Sequence, residues 1–367
     1  MAEPKSPLLK DLLGPDAIAT IADAGVAASS RFDRAAFVAA ALAGLDTLSV
    51  MERVRHIADA LHLALPVAYP GALDILRAMA PRLTHAFQAM AITEYVPRHG
   101  LSDVDRSLAA LADLTRFGSA EFAIRPFLAQ DVAGTLRTMQ AWSHHANDHV
   151  RRLASEGSRP RLPWGSRIDA FRHDPTLAAP ILDTLRADSS AYVRKSVANH
   201  LNDIGKDRPD WLVAHLSDWS DTDLRTAWII RHALRTLVKQ GDPAALALLG
   251  ASHEAELMVD GFTIAPAAVT LGDAITLGVR LRSTASVDQR VVVDYRLHYV
   301  RPHGRTAAKV FKLKTFDLAA GATATLTTRQ TIRDFSTRRH HAGRHVVELL
   351  VNGQVRATGA FALLGMS

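Results

Sequence analysis

A chain of 367 residues, 48% hydrophobic and 22% charged, has room for two domains with cores of their own and differs from disordered or fibrous compositions. It contains no cysteine, which excludes disulfides and thiolate metal sites. The net charge of +6 is unevenly placed: residues 255–367 hold 15 Lys and Arg against 8 Asp and Glu, and residues 1–254 hold 28 against 29. The basic C-terminal third suits a polyanion partner or a solvated surface.

The opening MAEPKSPLLKDLLGPDAIA is broken by proline and acidic residues before an apolar region forms, so no signal peptide is expected. No apolar run nears the ~20 residues a membrane helix needs. A soluble cytoplasmic protein without a membrane partner is the expectation. Up to about residue 255, apolar residues recur at helical spacing, as in Leu61 and Leu65 or Ile75, Leu76 and Met79. Pro66, Pro70–Gly71 and Asp242–Pro243 punctuate the helices.

This helical part repeats itself. Val150-Arg-Arg-Leu-Ala, Val193-Arg-Lys-Ser-Val-Ala and Ile230-Arg-His-Ala-Leu share an apolar–Arg–basic core at intervals of 43 and 37 residues. That period fits HEAT-type helical pairs, each burying one face against its neighbour. The repeated arginines either cap or bridge neighbouring repeats, or line a concave face and hold phosphates; composition favours the structural role.

Residues 117–207 are dense in chemistry. FGSAEFAIRPFL (117–128), DHVRRLASEGSRPRLPWG (148–165) and AYVRKSVANHLNDIGKDRPD (191–210) carry the candidates. A helix ends at Glu156–Gly157, and a loop stiffened by two prolines presents Arg159, Arg161 and Trp164. Guanidinium beside a planar aromatic suits a phosphate and a base or sugar; equally, Trp164 can plug the groove between repeats. Glu121 and Glu156 are candidate acids, although lone glutamates on repeat helices commonly form surface ion pairs.

Beyond residue 255 the pattern alternates with period two, in Ile275–Leu281, Val291–Tyr299 and His345–Val351. Turns fall at Gly272–Asp273, Pro302–Gly304, Gly321 and the hairpin pair Asn352–Gly353. About seven short strands in this span predict an immunoglobulin-like β-sandwich. The expected fold class is therefore mostly α: a HEAT-like helical-repeat solenoid over 1–254, then an all-β immunoglobulin-like sandwich over 255–367. Phosphate-loop, HExxH and GxSxG signatures are absent. His341 and His345, four apart in a strand–loop region, make a poor metal pair.

RFGSAEFAIRPF, HVRRLASEGSRPRLPWG, YVRKSVANHLNDIGKDRPD and MERVRHIADALHLALP (51–66) resemble the AlkC branch of the AlkC/AlkD-like HEAT-repeat alkylbase DNA glycosylases. The resemblance spans most of residues 1–250, and only some members carry a trailing sandwich. Gly118 departs from the larger or hydroxyl residue expected in FGSAEF. The resemblance implies a monofunctional glycosylase that hydrolyses the N-glycosidic bond of cationic alkylated bases, 3-methyladenine and 3-methylcytosine, in duplex DNA. It would leave an abasic site without extruding the base into a deep pocket, and act at the bacterial nucleoid; no cofactor or metal is expected, and a monomer is the default.

By the same resemblance Glu121 and Glu156 face the lesion deoxyribose and position water. Trp164 packs on the sugar or lesion. Arg152, Arg159 and Arg161 grip flanking phosphates, Lys195 and Asn199 assist, and Asp203 orients the cluster. In the sandwich, Arg301, Arg305, Lys309, Lys312, Lys314 and Arg338–Arg339 are candidates to clamp the duplex, or they form a solvated face. Two other classes stand beside this reading. A non-catalytic binder of distorted DNA would lack the acids. A protein–protein scaffold would show no salt-dependent DNA binding.

Overall fold

The computed structural model describes residues 9–65, 68–219, 222–335 and 339–365. The opening octapeptide, Pro66 and Arg338 lie outside them. The helices are α1 (Pro15–Ala28), α2 (Arg34–Leu42), α3 (Val50–Ala64), α4 (Tyr69–Met79), α5 (Ala86–Gly100), α6 (Val104–Leu114), α7 (Arg125–Gln130) and α8 (Val132–Trp142). They continue with α9 (Asp148–Gly157), α10 (Asp169–His173), α11 (Ala179–Thr184), α12 (Ala191–Ile204), α13 (Pro209–Ser217), α14 (Leu224–Ala233), α15 (Arg235–Gln240) and α16 (Pro243–Leu248). Eight strands follow: β1 (Leu257–Ala265), β2 (Ala268–Val269), β3 (Ala274–Ser283), β4 (Gln289–Val300), β5 (Thr306–Leu318), β6 (Thr323–Thr331), β7 (Gly343–Val351) and β8 (Gln354–Leu363). The chain forms two compact units, 1–208 with 219–233, and 209–218 with 234–367. Among the described residues no single helix is long and apolar enough to cross a membrane.

The first unit is built from stacked helical repeats. Helix α9 starts where Asn147 Oδ1 accepts the His149 amide at 2.9 Å, an N-cap that satisfies an orphan donor. It buries Val150, Leu153 and Ala154 along one face, and α12 buries Val193, Val197, Leu201 and Ile204. Each such valine, leucine or isoleucine contributes about 1.5–3 kcal/mol by leaving water. Helix α12 packs between α9 and α14, so the three copies of the sequence motif lie on successive neighbouring helices.

Two of the repeat arginines do identical structural work. Nη1 of Arg151 donates to the carbonyls of His145 and Ala146, both at 2.9 Å. Nη1 of Arg194 donates to those of Asp188 and Ser189, at 2.7 and 2.9 Å. In both cases the carbonyls lie six and five residues upstream, in the loop entering the helix. Arg151 also reaches the Asp188 carboxylate at 2.6 and 3.0 Å, tying one repeat to the next. Arg151 therefore bridges repeats and Arg194 caps the loop entering its own helix, while Arg231 in α14 is exposed.

In the second unit, a sheet ordered β1-β3-β6 faces one ordered β2-β8-β7-β4-β5, antiparallel throughout except for β2 with β8. Core residues alternate along β3, as the period-two pattern predicts. Asn352 and Gly353 turn β7 into β8 with φ of 48° and 79°, the left-handed pair of a two-residue hairpin. The alternation fails at Val291–Tyr295, where the whole run is buried. Val291, Val293 and Tyr295 fill the core between the sheets. Val292 and Asp294 point the other way and are covered on that side as well. There the turn after α15 comes so close that a Cβ on Gly353 would sit 2.1 Å from the Gly241 Cα.

Strand β5 is a sheet edge, and Lys309, Lys312 and Lys314 are exposed along it. Lysines on an edge also prevent pairing with another chain. His345 is fully buried, stacks on Phe361 at 5.1 Å and turns Nε2 to the His341 carbonyl at 3.1 Å. It is a core histidine. Among the described residues no group of three or more His, Asp or Glu could hold a metal ion.

Candidate active site

The site begins with how closely two segments approach. A Cβ on Gly157, the last residue of α9, would lie 2.5 Å from Cγ2 of the fully buried Ile124. Only glycine lets the end of α9 dock against the turn that precedes α7. That turn carries Glu121, and the penultimate residue of α9 is Glu156. Gly118 works in the same way: a Cβ there would meet the Ala86 carbonyl oxygen at 2.4 Å. The departure noted in FGSAEF is therefore required by the packing of this segment on α5.

Arg152 joins the two acids. Its Nη1 donates to Glu121 Oε2 at 3.2 Å and to Ser119 Oγ, and its Nη2 lies 3.5 Å from Glu156 Oε1. The guanidinium stacks 4.9 Å above the ring of Tyr192. Glu156 Oε1 also accepts Arg159 Nη1 at 2.7 Å, and its Oε2 accepts the Ser196 hydroxyl at 2.6 Å. Arg159 then turns Nε and Nη2 to Asp203 Oδ2, at 2.9 and 2.6 Å, and Lys206 holds the other Asp203 oxygen at 2.8 Å. Glu121, Arg152, Glu156, Arg159 and Asp203 thus form one buried chain of alternating charge.

The two glutamates sit in different fields. Burial pushes the Glu121 carboxyl above its ordinary pKa; Arg152 only partly offsets it, and the Glu156 charge adds to the rise. Burial also acts upward on Glu156 and is its largest single influence. Arg152, Arg159 and the Ser196 hydroxyl together outweigh it and hold this carboxyl below its ordinary value. Two carboxyls pushed in opposite directions are what divided acid–base work requires.

Trp164 is presented quite differently. It is 56% exposed and holds φ at 64°, a left-handed conformation that is uncommon and costly for a bulky residue. The loop is anchored by the buried Arg125, which donates to the carbonyls of Gly157 (2.9 Å), Arg159 (3.0 Å) and Ser166 (2.7 Å). Burial draws this guanidinium down to about 10. A plug in an inter-repeat groove is not where Trp164 lies.

Residues 106–237 match the family model of the DNA alkylation repair enzyme, and residues 258–365 that of the C-terminal Ig-like domain of the uncharacterised protein YhaZ. The uncharacterized protein YhaZ of Bacillus subtilis (strain 168) is 40% identical over 309 residues, 84% of this chain and 86% of that protein. A solved structure of Pseudomonas fluorescens alkylpurine DNA glycosylase AlkC, bound to DNA containing an abasic site analog, is 49% identical. It superposes with a TM-score of 0.94 over 98% of this chain and all of that one. The chain belongs to the AlkC family.

Within this AlkC-family chain, the arginines expected at phosphates have carboxylate partners. Arg152 and the buried Arg159 are the links just described. Arg161 makes a two-point ion pair with Asp207, at 2.8 and 2.5 Å, and Arg172 supports it. Hydrogen bonds from Arg161 hold Asp207 well below the usual carboxylate range. With its side chain 9% exposed and its donors shared between two carboxylates, Arg159 is closed to phosphate. Lys195 is exposed on α12, and Asn199 is half-buried one turn further along.

Sequence reasoning missed Ser119, Arg125, Tyr192, Ser196 and His200. One signal pointed to part of this set: Ser196, His200 and Asp203 lie at i, i+4 and i+7 of α12, on one face. All three are buried and face the end of α9.

Proposed function

We propose that the chain is a monofunctional DNA glycosylase that hydrolyses the N-glycosidic bond of 3-methyladenine and 3-methylcytosine in duplex DNA. The observation that carries this reading is the pair Glu121 and Glu156, buried on one shared guanidinium with their proton affinities driven apart. The AlkC of Pseudomonas fluorescens, an alkylpurine DNA glycosylase bound to DNA containing an abasic site analog, supports an alkylated purine as substrate.

Alkylation at N3 leaves the base positively charged, so it departs without being protonated. The C1′–N bond breaks, its electron pair neutralises the base, and positive charge passes to the deoxyribose. Glu156, ionised at neutral pH, opposes that charge in a water-poor setting where such an interaction is strong. Glu121, the more basic carboxylate, takes a proton from the water that adds to C1′. This division parallels sugar hydrolysis by paired carboxylates. Arg152 keeps both acids in place. Trp164, exposed on its anchored loop, packs against the sugar or lesion, and exposed Lys195 attracts the phosphate backbone. The base needs no deep pocket.

The test is base release from duplex DNA containing either lesion, by wild type, Glu121→Gln and Glu156→Gln. Release by wild type, falling at least about 100-fold in either variant with DNA affinity kept, supports the reading. Intact DNA binding without release would instead favour a sensor of distorted DNA.

A further inference from the structure

Glu156 cannot hold its own orientation. The torsion that rotates a carboxylate about its last bond is broad, and both arginines approach the same oxygen, Oε1. What fixes the plane is a hydroxyl from the next repeat. Ser196 lies 3% exposed on α12, and its Oγ is 2.6 Å from Oε2. That single proton goes to the charged acceptor, which makes the shorter and stronger bond. The Oγ of the fully buried Ser155, 3.0 Å away, is the weaker, alternative acceptor of that proton. Behind it the fully buried His200 turns Nδ1 to the Ser155 carbonyl at 2.9 Å, which ties α12 to the α9 backbone beside Glu156.

We propose that Ser196 is a positioning residue for Glu156, locking its carboxylate so that Oε1 stays with the arginines and the remaining lone pair of Oε2 faces the substrate. This rests on the glycosylase reading above. Ser196 touches no reacting atom; it acts through Glu156.

The experiment is single-turnover release of 3-methyladenine from duplex DNA by the full chain, measured against pH. Ser196→Ala, Ser196→Thr and Ser158→Ala are compared with wild type. Ser158 is an equally buried hydroxyl that, among the described residues, bonds only the α9 carbonyls of Ala154 and Ser155. A hydrogen bond to a charged group predicts about a tenfold slower rate in Ser196→Ala. The acid limb moves up by about one pH unit and DNA affinity is kept. Thr restores most of the rate, and Ser158→Ala loses thermal stability alone. An unshifted acid limb in Ser196→Ala, or an effect matched by Ser158→Ala, overturns the proposal. If wild type releases no base, the glycosylase reading fails separately. The carbon-13 carboxyl resonance of Glu156 in the free protein then decides: an upward-shifted titration in Ser196→Ala supports positioning, and an unmoved one overturns it.

Discussion

Nε and Nη2 of Arg159 both donate to one oxygen of Asp203, 44 residues further along the chain. Asp203 is 2% exposed, so the pair is an internal bond between repeats. Replacing Asp203 by Asn leaves a buried guanidinium short of charge, and breaking one half of such a pair costs about 3–5 kcal/mol. Urea unfolding of Asp203→Asn is expected to show that loss. A variant as stable as wild type would contradict the buried chain of charge.

Trp164 separates function from stability. More than half of its surface is exposed, and its backbone is left-handed. Glycine adopts that conformation without the steric cost. Trp164→Gly is expected to match wild type in thermal stability or exceed it by up to about 1 kcal/mol, while affinity for lesion DNA falls. Equal affinity would remove Trp164 from the interface.

His200 makes the helical unit acid-sensitive. Burial lowers its pKa from 6.5 to about 4. As pH falls below 6.5 the unfolded chain takes up a proton that the folded chain refuses until about 4. Stability is therefore full above 6.5 and declines across that window, by about 1.4 kcal/mol per pH unit at most. His200→Gln is expected to flatten the decline between pH 7 and pH 5. A slope unchanged by the substitution would place the sensitivity elsewhere.

Asp294 acts in the opposite sense in the second unit. Burial raises its pKa from 3.8 to about 6, against Lys239 and Lys312, and its Oδ1 has no hydrogen-bond partner among the described residues. Between those values the folded state keeps a proton that the unfolded state has lost. Stability thus falls as pH rises from 3.8 to 6 and stays lower above. Asp294→Asn is expected to stabilise the sandwich at pH 7 by on the order of 2 kcal/mol, with no gain near pH 3.5. A melting temperature at pH 7 no higher than that of wild type would show the carboxylate to be adequately solvated.

The repeat period, the strand pattern and the Asn352–Gly353 hairpin were legible because each is written in neighbouring residues. Glu121 and Glu156 were singled out through long blocks resembling a family. The links between them were not. Arg159 meets Asp203, and Glu156 meets Ser196, only because α9 and α12 stack in one register, and a distance of 40 or 44 residues carries no local signature. Arginines in such a stretch suggest phosphates, since nothing local announces a buried carboxylate opposite. Arg125 was invisible for the converse reason: a lone arginine inside FAIRPFL looks like a surface charge, yet its partners are main-chain carbonyls.

That last detail bears on how the loop can change. Arg125 grips it through the carbonyls of Gly157, Arg159 and Ser166, which every amino acid supplies. The anchor is blind to loop composition. Side chains between those points can be exchanged, by drift or by design, without loosening the clamp, so the loop around Trp164 is the natural place for this scaffold to acquire a taste for a different lesion.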